Sequence, residues 1–257
     1  MLFGRRNGLD IGFSNKSLTF NKNAVIIGNS GSGKTYGYVL SNLLQADHSA
    51  IVIDPYANMY HKYRNKFEAM GVKTYCVSTI KEMDGELPIE ELATRPTYLF
   101  IAPSCCTPSE ETNEHIGYTV AKIWKMLYDF ASDKPLPVPV HFYLDEFPNI
   151  RIPNFFKFLA VDRKYGVGCS IIVQSIDQLK TMYKDNCEWE LALVNSDTLL
   201  FLYCSSPDEL KLIWKITNIP SEETKRLFKE GKAIVAVRSC PPTFCDKLNP
   251  EDYGLNA

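Results

Sequence analysis

The chain has 257 residues, with 28 Lys and Arg against 30 Asp and Glu for a formal charge of −2, and 45% of it is hydrophobic. That balance excludes a disordered tail, a collagen-like repeat and a disulfide-knotted miniprotein, and it confines any nucleic-acid contact to a local patch. A chain of this length buries roughly three quarters of its unfolded surface, so a single domain over 1–257 is expected. No apolar run approaches the roughly 18 residues that span a bilayer, and residues 1–6 carry two positive charges with no apolar stretch behind them. The chain therefore reads as soluble, without a transmembrane segment. Eight cysteines are scattered without a CxxC pair, and the four histidines lack metal-ligand spacing. Reduced thiols in a cytosolic protein are the expectation.

Short apolar, β-branched runs alternate with longer amphipathic segments, the pattern of a mostly parallel sheet covered by helices, an α/β fold. In chain order the expected strands are 24–27, 50–53, 74–77, 98–102, 140–144, 170–173, 199–203 and 233–237. Several are apolar throughout, as when both faces of a sheet are buried. Residues 112–131 predict a helix, with Ile116, Val120, Ile123, Trp124, Leu127 and Ala131 on one stripe. Residues 132–139 carry three prolines and read as a rigid connection. The stretch 80–97 reads as loop, and 241–257 as a weakly periodic tail on the edge of the domain.

Residues 28–35 spell Gly28-Asn29-Ser30-Gly31-Ser32-Gly33-Lys34-Thr35, which fits G-x-x-x-x-G-K-[ST] between an apolar strand and a helix pattern. The glycines let successive backbone N–H groups converge on one anion, and the following helix adds the partial positive charge of its N-terminus. Lys34 is placed for the β- and γ-phosphates of ATP, and Thr35 for Mg²⁺.

A second run, residues 140–146, is an apolar strand ending in Asp145-Glu146. Asp145 would sit at the carboxyl end of the strand and join Thr35 on Mg²⁺, while Glu146 would take a proton from an attacking water. Asp54-Pro55 also follows an apolar strand, and a magnesium ligand or a turn fits it equally well. Gln174 would lie level with Asp145 and contact the γ-phosphate or the water, and Ser175 would cap a helix; the two are compatible. Arg163, with Lys164 at the end of a helix pattern, is either a dipole partner or an arginine acting on a neighbouring subunit. Arg151 with Phe155 and Phe156 could touch nucleic acid, but helix packing explains the aromatics as well, and Lys180 and Lys184 read as solvated lysines.

The run Phe142 to Ile150, continued by Ile152-Pro153-Asn154-Phe155, Arg163, Gly166, Gln174-Ser175 and Gln178-Leu179, resembles the second nucleotide motif of type IV secretion coupling proteins, the TraG/TraD-like conjugation ATPases. The loop Gly28 to Thr35 with Asn42-Leu43-Leu44-Gln45 and Asp54-Pro55 is similar to that family's opening motif. The resemblance covers about residues 18–240. It implies a RecA-like P-loop motor, hexameric in function with a monomer as the alternative for the isolated domain, at the cytoplasmic side of the bacterial cell membrane. It further implies that ATP drives relaxase-bound conjugal DNA or secreted effector proteins into a type IV secretion channel. Arg163 becomes the trans-acting arginine under this resemblance, beside Lys34, Glu146 and Gln174 as catalytic residues. The family's transmembrane helices and its all-helical domain have no counterpart here, and residues 78–97 mark where that domain would insert. A nucleotide-gated docking platform is the alternative, and a small kinase is disfavoured by Glu146.

Overall fold

Apolar β-branched runs form all eight expected strands, and three more appear. The computed structural model describes residues 1–15, 21–77, 87–102, 109–183 and 188–255. Over these the order is β1 (Leu2–Arg6), β2 (Leu9–Gly12), β3 (Ala24–Gly28), a π-helical segment (Lys34–Leu40) running into α1 (Ser41–Leu43), β4 (Ser49–Ile53), α2 (Asn58–Ala69), β5 (Lys73–Val77), α3 (Ile89–Thr94), β6 (Thr97–Ile101), α4 (Glu110–Ala131) and β7 (Val140–Leu144). A 3₁₀ turn (Phe147–Asn149) follows, then α5 (Phe155–Tyr165), β8 (Val167–Val173), α6 (Ile176–Met182), α7 (Glu188–Val194), β9 (Thr198–Tyr203), α8 (Pro207–Thr217), α9 (Ser221–Lys229), β10 (Lys232–Val237), β11 (Thr243–Asp246) and a last 3₁₀ turn (Pro250–Tyr253).

The strands form one sheet in the order β2-β1-β11-β10-β9-β3-β8-β7-β4-β6-β5. From β9 to β5 neighbours run parallel, while β10, β11, β1 and β2 add antiparallel strands at one edge. Both faces are covered, which is why the central strands are apolar without alternation. Val25, Ile27 and Phe142 face one core with Trp124 of α4 and Phe155 of α5. Ala24, Ile26 and Tyr143 face the other with Tyr38, Phe67 and Tyr98. Trp124 stacks on Phe142 with ring centroids 3.9 Å apart, so α4 is fixed directly over the strand that ends in Asp145.

Some expectations needed correction. The first hairpin went unread, although Asn7 and Gly8 both have positive φ, 52° and 79°, as a two-residue I′ turn requires. The tail was expected on the edge of the domain; its described part, 241–255, instead enters the sheet, with β11 paired between β10 and β1, and the Tyr253 hydroxyl donates to Asp10 at 2.7 Å. Within 80–97, residues 89–94 form α3, too short for periodicity to reveal, with Glu90 and Glu91 in its first turn; residues 80–86 lie outside the described residues. The helix after the phosphate loop begins as π-helix, with the Tyr38 N–H donating to the Gly33 carbonyl at 2.9 Å. The proline-rich 132–139 connection is held by Leu136 N–H to Tyr165 and Val138 N–H to Ala93. Among the described residues, no helix is long and apolar enough to cross a membrane.

Candidate active site

Strand β8 lies between β3, which leads into the phosphate loop, and β7, which leads into Asp145. All three are parallel, so their carboxyl ends open on one edge, where ligands of open α/β sheets bind. At about 4.8 Å per strand, the ends of β3 and β7 stand about 10 Å apart, with the β8 end and its Gln174 between them, and the loop after β3 bridges that gap. Topology thus gathers side chains from three distant parts of the chain.

The loop enters its helix through Gly33 at φ 97°, a conformation that a side chain strongly disfavours. Lys34 folds back over the loop, its Nζ donating to the carbonyls of Gly28 at 2.5 Å and Asn29 at 2.9 Å. Half-burial pushes the Lys34 ammonium below its ordinary pKa, against the pull of Asp145 and Glu146. Thr35 Oγ1 donates to Asp145 Oδ2. The backbone N–H of Glu146 donates to Asp145 Oδ1 at 3.0 Å. Burial raises the Asp145 carboxyl, and these two hydrogen bonds and Lys34 oppose it. Glu146 is exposed, at φ 54°.

One cavity of about 400 Å³ is lined by Ser30, Gly31, Gly33, Lys34, Thr35, Asp145, Glu146 and Gln174. Gly28, Asn29 and Ser32 complete the loop behind it: Asn29 Nδ2 donates to Ser205 Oγ at 3.2 Å, and Ser32 is buried. The same cavity contains Tyr36, Asn149 and Gln178, which sequence reasoning did not assign to the site. Gln178 had a signal. Its backbone N–H donates to Ser175 Oγ at 3.2 Å, the expected cap of α6, and its Oε1 accepts from the Gln174 N–H at 3.3 Å. Asn149 had only its place in the run Phe142 to Ile150, and the 3₁₀ turn is what returns it to the site.

Arg163 is not brought to this cavity. It is exposed in the last turn of α5, which passes through Gly166 into the amino end of β8, the opposite edge of the sheet. Asp54 does not line the cavity either. Its Oδ2 accepts the Tyr60 N–H at 2.9 Å at the start of α2, so the turn reading holds. Phe155 is buried and Phe156 packs on the core, as helix packing requires, while Arg151 is exposed. Lys180 pairs with Asp177 at 3.3 Å; Lys184 lies outside the described residues. Cys169, Cys204 and Cys245 are buried free thiols, Cys76 and Cys240 are exposed, and Cys105, Cys106 and Cys187 lie outside the described residues. Among the described residues no group of three or more His, Cys, Asp or Glu could hold a metal.

The cavity fits a nucleoside triphosphate with Mg²⁺. Loop N–H groups and Lys34 offer donors to phosphate, and the Thr35 hydroxyl with one Asp145 carboxylate is the sparse, hard-oxygen donor set that Mg²⁺ takes when phosphates supply further ligands.

Two family models match the chain. The type IV secretory system conjugative DNA transfer model covers residues 3–83, and the model for the TraM recognition site of TraD and TraG covers residues 139–217. The chain belongs to the type IV secretion coupling-protein family. No curated protein matches the sequence of this coupling-protein chain. Among solved structures it is similar to VirB4 of Thermoanaerobacter pseudethanolicus, with TM-score 0.65, 12% identity, and 98% of this chain and 97% of that chain covered. The bacterial conjugative coupling protein TrwBΔN70 in complex with sulphate follows with TM-score 0.63, 10% identity, and coverage of 89% and 85%. The genome packaging NTPase B204 of Sulfolobus turreted icosahedral virus 2, in complex with ATPγS, gives 0.55, 15%, and coverage of 89% and 98%. At these identities the likeness is one of fold, and the fold of the coupling-protein chain is that of a RecA-like P-loop NTPase.

Proposed function

We propose that the chain is a single ATP-hydrolysing motor domain over 1–257, with residues 78–97 at the position of the family's helical insertion. The observation that carries this reading is the side-by-side placement of Asp145 and Glu146 in the cavity that holds Lys34, Thr35 and Gln174. ATP with Mg²⁺ supplies the scissile phosphoanhydride and a Lewis acid. Lys34 would exchange its loop carbonyls for phosphate oxygens, and Thr35 and Asp145 would hold the metal. Glu146 accepts a proton from a water as that water's oxygen bonds to the γ-phosphorus and the β–γ bridging oxygen departs with ADP. Gln174 donates to the γ-phosphate or orients the water.

Arg163 stands on the opposite sheet edge, exposed, and so is suited to a neighbour's site in a homo-hexamer. The family assignment supports a role in which this motor drives relaxase-bound DNA or effector proteins into a secretion channel from the cytoplasmic face of the membrane.

The test is steady-state Mg·ATP hydrolysis against protein concentration, with and without single-stranded DNA, and with Glu146→Gln as blank. Turnover that rises more steeply than linearly with concentration, is stimulated by DNA and is absent from the blank is the expected result. Tight ATP binding with no turnover at any concentration would overturn the motor and leave a nucleotide-gated docking platform.

A further inference from the structure

Asn149 sits where the site meets its neighbourhood. Its flanks are immobilised: Phe147 is fully buried, stacked on Tyr183 with centroids 5.2 Å apart, and the Tyr183 hydroxyl donates to the Ile150 carbonyl at 3.0 Å. Ile150 itself is 2% exposed. Between these anchors Asn149 is exposed, and its backbone N–H donates to the Glu146 carbonyl at 3.0 Å. Its Nδ2 donates to Glu146 Oε2 at 3.4 Å, a long bond on an exposed pair. The side chain lines the phosphate cavity and also an adjoining groove of about 1010 Å³ that contains Tyr118, Arg151 and Leu191.

Glu146 needs such a partner. It is exposed, has left-handed backbone, and belongs to no regular element, so nothing in its own segment selects one rotamer. A base must hold one oxygen within hydrogen-bond reach of its water, and a carboxylate that samples all rotamers spends little time there. A donor that occupies Oε2 leaves Oε1 to face the cavity. We propose that Asn149 is a positioning residue for hydrolysis, its side-chain amide setting the orientation of the Glu146 carboxylate. The proposal deepens the motor reading and rests on it.

The three-residue 3₁₀ turn explains why this falls to position 149. The Asn149 N–H closes this turn on the Glu146 carbonyl at 3.0 Å, which brings the residue at 149 back beside that at 146. An amide there donates; a carboxylate of the same shape cannot, and it opposes a like charge. An exposed turn position accepts Asn and Asp almost equally for folding, which separates the two roles.

The experiment compares Asn149→Ala and Asn149→Asp with the unmodified chain under the assembly conditions that support turnover, reading kcat, KM for ATP and Tm. The expected result is a kcat about tenfold lower for Asn149→Ala, lower still for Asn149→Asp, with KM and Tm unchanged; a tenfold loss corresponds to about 1.4 kcal/mol. In the Glu146→Gln background, sensitive single-turnover measurement is expected to show a smaller further loss on Asn149→Ala, because the group being positioned is gone. Equal kcat for Asn149→Asp and the unmodified chain, or additive losses in the double variant, overturns the assignment while the motor reading stands. No turnover by the unmodified chain overturns both.

Discussion

The Thr35 hydroxyl reaches past the end of β8 to the Asp145 carboxylate, tying the first turn after the phosphate loop to the end of β7. Asp145 is 8% exposed, so this carboxylate is held in a poorly hydrated place that function needs and folding does not. Asp145→Asn is therefore expected to keep or raise Tm, because burial already raises the native carboxyl. The same change is expected to remove the Mg²⁺-dependent part of ATP affinity and lower turnover by about a hundredfold, in line with the several kcal/mol of charge stabilisation a metal supplies. Calorimetry with ATP in Mg²⁺ and in EDTA reads the first effect. Unchanged metal dependence would remove Asp145 from the metal site.

Lys34 spends its donors on the Gly28 and Asn29 carbonyls while half-buried. Lys34→Ala frees those carbonyls and removes a strained charge, so stability is expected to change by under about 1 kcal/mol. Affinity for ATP is expected to fall about a hundredfold, since charge-assisted bonds to phosphate are worth about 1.5–3 kcal/mol each. Titration calorimetry decides it, and ordinary ATP binding by Lys34→Ala would sink the phosphate-loop assignment.

The parts of this site that the sequence made legible are those carried by local chemistry. Residues 28–35 announce themselves because a loop that wraps an anion needs Gly at fixed steps, and Asp145-Glu146 because two acids seldom end an apolar strand by chance. The placement of Gln174 beside Asp145 also followed, since the apolar run before it had to end at the same sheet edge. Asn149 and Tyr36 were illegible because their place depends on turn geometry and on which strand separates β3 from β7. The antiparallel edge was missed for another reason: β1, β2 and β11 are short and half-covered, so their alternation is weak, although the Asn7-Gly8 turn was there to be read.

Asp162 gives a pH prediction. It is fully buried under α4, accepting from Trp124 Nε1 at 2.8 Å and from the Tyr128 hydroxyl at 2.5 Å, and burial pushes its carboxyl up to about 7. An unfolded Asp titrates near 3.9. Between these values the folded chain binds a proton that the unfolded chain does not, so stability falls as pH rises from about 4 to about 7 and is level beyond. A rise of that size corresponds to on the order of 4 kcal/mol. Asp162→Asn keeps an acceptor for Trp124 and Tyr128 without the charge. It is expected to match the unmodified chain near pH 4 and exceed its Tm at pH 8, measured by thermal melts across that range. An unchanged slope in the variant would assign the pH dependence elsewhere.

Arg163 and Glu146 lie on opposite edges of the sheet, and that separation makes a mixing experiment decisive. If Arg163 completes a neighbour's site, Arg163→Ala subunits keep an intact Glu146 and lack only what the next subunit should supply. Glu146→Gln subunits have the complementary defect and still present Arg163. Each variant alone is expected to be inactive, losing about a thousandfold as other enzymes do when such an arginine is removed. In a 1:1 mixture that assembles at random into a ring, roughly one site in four combines an intact Glu146 with a neighbour's Arg163, so turnover should return to about that fraction. Lys164→Ala serves as the control, because Lys164 is bound to Asp133 at 2.5 Å on the same turn and has no part in the proposed site. If Arg163→Ala is inactive and mixing restores nothing, the arginine acts within its own subunit or only on folding, and the shared-site reading falls.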